Sequence, residues 1–289
     1  HQKIGFGTHR GNRFTIVVRG CCHPDGTPMT DDEAMAEVKR IQDDMEASLG
    51  GQRFPNWIGP QRFGSGRPVT PHVGRHVVNG DWEQAVMTYL AMEGTNEEEE
   101  AQAIRKQIRE HGIDEPLLEA LPRWMGFERK MIEHLLAKPD DHVGAFRKLP
   151  TNLQLMTVHA LQSIVFNKSL QRRLEEGLPL SRPVVGDIVG RIDEKSQLDV
   201  NSCVVVQERT LNRIGRNCDL GRLATTGPLP GSEISTCDGH PGQLEQATID
   251  SEGLGSVSWD VEAVPRLSTK GTRRGLVAEF KEFSVDTVP

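Results

Sequence analysis

The sequence predicts an α+β fold, a mixed β-sheet flanked by helices and interrupted by a long, largely helical insertion. Three observations predict it. Phe14, Ile16 and Val18 alternate with Arg13, Thr15, Val17 and Arg19, the period of a strand with one buried face. Between Gly80 and Gly177 the apolar residues recur instead at helical spacing. Near the end, Leu276, Ala278 and Phe280 alternate with Val277, Glu279 and Lys281, so strand character returns.

Taken in order, a Gly5 to Gly11 loop leads into the first strand, with His9 and Arg10 at its entry as candidate phosphate contacts. Thr30 and Glu33 form a capping box, and Ala34, Val38, Ile41 and Met45 then mark a helix that Gly50-Gly51 ends, one face against the sheet. Asp81 caps a helix carrying Trp82, Val86, Tyr89 and Leu90. An acidic helix runs from about Asn96 to His111 with Ile104 and Ile108 inward; its Glu97 to Glu100 run is a solvated face near a helix N-terminus, where negative charge is favoured. Phe127, Met131 and Leu135 define another helix, stopped near Pro139. A long one follows Pro150, with Leu153, Met156, Ala160, Ile164 and Leu174 on one side and Gly177 at its end. Beyond Pro183 come short β-like runs, Val184-Val185, Ile188-Val189 and Cys203 to Val206, then a loop-rich stretch from Gly215 to Gly255. The change near Arg67 to Gly80 and the return to strand near Val264 describe one domain inserted into another.

At 289 residues the chain has length for two domains. Hydrophobic residues at 36% and charged residues at 26% indicate neither disorder nor a membrane class. No apolar run is long enough to span a bilayer and no signal-peptide pattern is present, which predicts a soluble, cytoplasmic protein. Five cysteines, Cys21, Cys22, Cys203, Cys218 and Cys237, fit reduced thiols and lack the spacing of a metal site; Cys237 with His240 reads as incidental. The net charge of −7 argues against indiscriminate nucleic-acid binding. A local basic groove stays open, because arginines collect at Arg10, Arg13, Arg19, Arg53, Arg62 and Arg67, and again at Arg273 and Arg274. The chain begins at His1 and ends at Val288-Pro289, and reads as an internal piece of a longer protein.

Asn56 to Gly64 is the densest stretch, with an indole, two amides, a cation and two glycines in nine residues. Glycine permits backbone conformations closed to other residues, and Gln61 and Arg62 supply donors without an acid. Two readings stand, a loop that grips a nucleotide or a Gly/Pro turn with a solvated arginine.

Several segments together resemble the TruD-type pseudouridine synthases that modify tRNA. Asn56 to Gly64 is similar to that family's Asn-Tyr-Phe-Gly-x-Gln-Arg-Phe-Gly motif, and Arg67-Pro68-Val69-Thr70 continues in the manner of archaeal members. Gly11-Asn12-Arg13-Phe14-Thr15, His159 to Asn167, Leu229-Pro230-Gly231 and Gly271-Thr272-Arg273-Arg274 resemble further family motifs, in the family's order. The resemblance implies a pseudouridine-synthase catalytic domain, here residues 1–67 and 263–289, interrupted by a family-specific insertion at 68–262. It implies isomerisation of a tRNA uridine of the position 13 type. In that chemistry the base is detached at N1, rotated and rejoined through C5, with no cofactor or metal and with one essential aspartate. No membrane or protein partner is implied.

The family's aspartate lies in a Gly-x-Lys-Asp-x-x-Ala-x-Thr motif, and no segment of this sequence matches it. The motif would precede His1, so no catalytic residue is assigned and the 289 residues alone are expected to be inactive. Asp25, Asp31 and Asp32 read as turn and capping residues. The resemblance implies a substrate-binding set of Asn56, Ile58, Gln61, Arg62, Phe63 and Arg273. Asn56 would position the aspartate or uridine, Arg62 would meet phosphate, and Phe63 would pack beneath the loop. Arg273 is either a basic partner of the aspartate or one half of a surface ion pair. The sequence departs from the family where Ile58 replaces the stacking aromatic and Trp57 the preceding tyrosine; stacking is worth about 1–3 kcal/mol per base. Trp57 is then either core or compensation. His159, Gln162 and Asn167 read as satisfied packing polar groups, and Gly227 to Gly231 as a tight turn. A non-catalytic RNA-binding or tRNA-folding module on the same scaffold is the alternative function.

Overall fold

The computed structural model describes residues 12–287. The Gly5 to Gly11 loop, His9 and Arg10 lie outside the described residues. In chain order the elements are α1 (Asp31–Leu49), β1 (Arg53–Pro55), α2 (Thr70–Val78), α3 (Trp82–Ala91), α4 (Glu99–His111), α5 (Glu115–Ala120), α6 (Gly126–Ala137), α7 (His142–Phe146) and α8 (Thr151–Glu175). They continue with β2 (Ile188–Ile192), β3 (Leu198–Val205), α9 (Glu208–Asp219), β4 (Leu223–Leu229), α10 (Gly239–Ser251), β5 (Thr272–Gly275) and β6 (Val277–Glu279). The mixture of helices with antiparallel strands is the α+β class that the sequence predicts. The chain divides into two compact units. One holds 12–56, Leu178–Thr225 and the residues from Gly275 onward; the other holds Trp57–Gly177 and Thr226–Arg274.

In the first unit, Thr30 and Glu33 close the capping box of α1, and Gly50 ends the helix at a positive φ of 72°. β1 pairs antiparallel with β6 in the register Arg53↔Glu279, Phe54↔Ala278, Pro55↔Val277. This register sets Arg53 beside Glu279 at 3.1 Å, and Arg53 also donates to the carbonyl of Cys218. Elsewhere in this unit β2 pairs antiparallel with β3 and with the Leu223 to Thr225 part of β4. Val189 in β2 packs with Val206 and with Ile214 and Cys218, the buried stripe of α9, to form a small core.

Three expectations fail in this unit. Residues 12–20 form no strand, and Phe14, Ile16 and Val18 are 74%, 78% and 74% exposed. A strand requires a neighbour for its backbone groups, and no described residue pairs with this segment. Val184-Val185 is a turn, in which the Asp187 carboxylate accepts from the Val184 N–H at 2.7 Å and Gly186 takes a φ of 94°. The α1 stripe is half-buried and Ile41 is exposed. The sequence reading also missed α9, whose apolar positions are few among charged ones.

The second unit is built on α8. Gly74 of α2 lies so close to this helix that a Cβ would stand 2.1 Å from the Thr157 carbonyl oxygen, so only glycine permits the contact. Val73, Val77, Val86, Leu90, Ile104, Ile108, Met131, Ile132, Phe146, Leu161 and Val165 form the core. Burial runs around α8 rather than down the predicted stripe. Leu174 is exposed, whereas Gln154, Thr157, Gln162, Ser163 and Ser169 are inside. Asp81 precedes α3 without a side-chain capping bond; its carboxylate lies 3.5 Å from His76 Nδ1. One helix, α10, lies where the sequence suggested loop, and another, α2, lies where it read only a change of character. α2 begins Thr70-Pro71 and α10 begins Gly239-His240-Pro241-Gly242, residues that usually signal a turn. Proline is tolerated in the first helical turn, whose N–H groups have no intrahelical partner. No described helix is long and apolar enough to cross a membrane.

Candidate functional site

The stretch singled out in the sequence is a loop closed by a short 3₁₀ turn at Pro60–Arg62. Proline fixes its entry, and the Arg62 and Phe63 N–H groups donate to the carbonyls of Gly59 and Pro60 at 3.1 and 2.9 Å. Gln61 and Arg62 are exposed and Phe63 is half-buried. Gly64 has a φ of 101°, and a Cβ there would meet the Arg67 carbonyl oxygen at 2.3 Å. Both the backbone and the space therefore require glycine. Beyond it, Arg67 turns inward beneath Tyr89, its guanidinium 5.1 Å from the ring centroid and donating to the Tyr89 carbonyl at 2.7 Å. With Arg105, Glu97 and Glu128 it makes a charge-balanced group of two arginines and two glutamates that anchors the loop's C-terminal end.

The start of the loop is held by α8. The Ile58 N–H donates to Asn167 Oδ1 at 2.9 Å, and Asn167 Nδ2 donates back to the Ile58 carbonyl at 2.9 Å. Trp57, next to this pairing, is 43% exposed and is not core. Two further α8 amides grasp other segments. Gln162 Nε2 donates to the Pro230 carbonyl at 2.7 Å, and Gln154 Nε2 to that of Leu149 at 2.6 Å. These three amides are satisfied polar groups, as the sequence reading has Gln162 and Asn167.

Asn56 belongs to the first unit. Its N–H donates to the Leu276 carbonyl at 2.9 Å and its Nδ2 to that of Gly275 at 2.8 Å. The side chain thus holds the end of β1 beside the chain between β5 and β6.

Arg62 and Arg274 of the second unit lie within range of each other's charge. Arg62 forms no ion pair among the described residues, and the Arg274 guanidinium lies 5.5 Å from the centroid of the Phe166 ring, a cation–π contact. Burial first, and then the nearby Arg62 charge, lower the pKa of Arg274. The same two causes lower the pKa of His159. Arg273, one residue earlier in β5, is 7% exposed. Its Nε donates to Thr226 Oγ1 at 2.8 Å, Nη1 to the Ser235 carbonyl at 2.8 Å, and Nη2 to the Thr226 carbonyl at 3.0 Å and to Glu245. Alternation along the strand sends these two arginines to opposite sides. Of the two readings of Arg273, the ion pair forms, with Glu245, but it is buried and not at the surface.

Nearby, Gly231 and Gly271 touch backbone to backbone; a Cβ on Gly231 would be 1.9 Å from the Gly271 nitrogen. The Leu229-Pro230-Gly231 and Gly271 to Arg274 segments therefore make one junction. Asp25 is bound in its own turn, accepting from Thr27 N–H and Oγ1 at 3.0 and 2.7 Å. Asp31 and Asp32 occupy the first turn of α1. The Cys237 thiol is buried and donates to Glu245 at 3.2 Å, while His240 faces solvent near Glu176.

The family model for tRNA pseudouridine synthase D (TruD) matches residues 1–288. The chain belongs to the TruD family. Proteins named "Probable tRNA pseudouridine synthase D" are similar along nearly all of it. That of Methanosarcina mazei is 37% identical over 280 residues, covering 97% of this chain and 62% of its own length. That of Methanopyrus kandleri is 35% identical, covering 94% and 57%, and that of Halobacterium salinarum 34%, covering 95% and 61%. A crystal structure described as tRNA pseudouridine synthase D (TruD) from Methanosarcina mazei aligns with a TM-score of 0.80 at 38% identity, covering 86% of this chain and 56% of that one. The chain thus spans about three fifths of the length of these relatives.

Of the segments that resemble TruD motifs, His159 to Asn167, Leu229 to Gly231, Gly271 to Arg274 and all of Asn56 to Gly64 but its first residue fall in the second unit, while Asn56 and Asn12 to Thr15 fall in the first. Sequence reasoning overlooked the Asn167–Ile58 pairing, the Arg274–Phe166 contact and the Arg67 anchor. A signal for the first was present, since Asn167 closes the apolar run Ile164-Val165-Phe166 on a helix, where a carboxamide needs a partner.

Proposed function

We propose that the full-length protein is a tRNA pseudouridine synthase that isomerises a uridine of the position 13 type. The observation that carries this is TruD family membership along residues 1–288. The loop between Trp57 and Gly64 supports it, because Ile58 is held by its backbone while Gln61 and Arg62 stay exposed. An enzyme acting on a base within folded RNA extrudes that base and holds it by apolar contact and edge hydrogen bonds. In this reading Ile58 covers the uracil with Trp57 beside it, Asn56 positions the reacting groups, Gln61 and Arg62 meet the RNA backbone, and Phe63 supports the turn.

Arg273 shapes the junction from inside. The basic role beside the family's aspartate passes to Arg274, because the Arg273 guanidinium is engaged by Glu245, Thr226 and Ser235. The catalytic domain takes residues 1–67 and 263–289, and the insertion 68–262. The protein works in the cytoplasm on tRNA. Since no segment of His1 to Pro289 matches the family's Lys-Asp motif, these 289 residues bind RNA and turn over no uridine.

Ile58 at the stacking position also favours a second reading, a non-catalytic RNA-binding or tRNA-folding module. A tritium-release or mass-shift assay on transcribed tRNA separates the two. Pseudouridine from the full-length protein is the expected result, and RNA binding without pseudouridine is the outcome that supports the module. Turnover by the 289-residue chain would show that its chemistry uses a carboxylate other than the family's.

A further inference from the structure

We infer that Asn167 is a positioning residue: its carboxamide sets the backbone of Ile58, and thereby the surfaces of Ile58 and Trp57 that meet the substrate base. For its substrate this rests on the uridine reading proposed above. For the rest it rests on the two 2.9 Å hydrogen bonds that run in opposite directions between one side chain and one loop residue.

A residue in a loop ordinarily satisfies its peptide groups with water or with local turn bonds. Ile58 does neither with this N–H and carbonyl. Both face Asn167, whose donor and acceptor stand side by side and pair with the peptide as a neighbouring strand would. Two bonds to a single residue fix the orientation of its peptide planes, whereas one bond would leave a hinge. The fixed backbone leaves Trp57 43% exposed on one side and starts the Pro60 turn on the other.

The anchor is rigid. Asn167 sits inside the 25-residue helix α8 between the fully buried Phe166 and the buried Ser169 and Leu170. Asparagine is a mediocre former of helix interiors, so this position holds it for its carboxamide and not for propensity. Consecutive helix residues also divide the work. Phe166 carries Arg274 at 5.5 Å and Asn167 carries Ile58, so one turn of α8 fixes a cation and the base-facing loop in the same rigid body. No aliphatic residue supplies either bond. A carboxylate keeps an acceptor for the Ile58 N–H but sets a negative oxygen against the Ile58 carbonyl.

The test has two arms and two variants, N167A and N167L, the latter keeping the branched shape without the donor and acceptor. The first arm measures amide hydrogen exchange at Ile58 in the 289-residue chain, whatever reaction the full-length protein performs. Ile58 is expected to be protected in the wild type, and both variants to speed its exchange by about tenfold or more, as loss of the pairing requires. Equal exchange in wild type and variants overturns the pairing. The second arm measures steady-state turnover of a tRNA transcript by the full-length protein. A kcat loss of about tenfold to hundredfold with KM changed less than about threefold is expected, because a displaced reacting geometry lowers kcat more than affinity. Fast Ile58 exchange with wild-type kcat overturns the positioning role and leaves the synthase reading intact. No turnover by the wild type overturns the synthase reading, and with it the catalytic consequence assigned to Asn167, while the exchange arm still decides the pairing.

Discussion

The two arginines at the end of β5 mark two regions of the second unit that treat positive charge in opposite ways. Around Arg273 a buried guanidinium meets a buried carboxylate, Glu245, and further acceptors at Thr226 and Ser235. Around Arg274, burial first and then the like charge of Arg62 lower the pKa, and the same two causes act on His159. The first arrangement holds the fold together. The second sets two cations within range of each other, a mild cost that the proposed RNA contact would offset.

The strongest way to break this contrast is to remove the matched charge. Arg273→Met leaves Glu245 buried without its guanidinium and should destabilise the protein by about 3–5 kcal/mol, read from the midpoint of urea unfolding. An unchanged midpoint would mean that Arg273 is no internal clamp.

Next in size is Gly64→Ala, which places a Cβ on a residue with a φ of 101° and against the Arg67 carbonyl. Strain of this kind costs on the order of 1–3 kcal/mol, and the thermal midpoint should fall. Because the Arg67 anchor lies at the same end of the loop, RNA affinity should fall with it.

Arg62→Ala addresses the like-charge face directly. It should leave the unfolding midpoint unchanged or slightly raised while weakening RNA binding uniformly across sequences. The slope of log affinity against log salt should decrease by about 1 for a single phosphate contact, measured by fluorescence titration across salt concentrations. A fall in stability comparable to that of Arg273→Met would erase the distinction between the two faces.

The smallest effect is on titration. Folding lowers the His159 pKa from the ordinary 6.5, by desolvation first and Arg62 second. The unfolded chain therefore binds the proton more readily. Stability from this group is present above about pH 6.5 and declines as pH falls from there toward the folded pKa. Arg62→Gln should move the His159 pKa back upward in an NMR titration, and a pKa indifferent to Arg62 would place the two charges out of range of each other.

The fold class and most long helices were legible because periodicity reports burial when an element has one dry face. The reading failed where that condition fails. α8 is buried around most of its circumference, so no single stripe describes it, and α2 and α10 hide their starts behind prolines that a first helical turn accepts. Phe14, Ile16 and Val18 have the period of a strand but no described neighbour, since a periodic pattern states a face and never a partner. At the site, the residue types around Asn56 to Gly64 announced a special loop. What holds that loop did not show, because Asn167 stands 109 positions from Ile58 and a carboxamide carries no mark of what it will bind.

The three amides of α8 have a consequence for which sequence changes this family member can absorb. Gln154, Gln162 and Asn167 each grasp a different segment from one helix, and their bearings are fixed relative to one another by helical phase. One residue inserted or deleted between Gln154 and Asn167 would rotate the later grips by about 100° against the earlier ones. Substitutions along this helix can be repaired locally, but a change of length would unhook distant parts of the chain together.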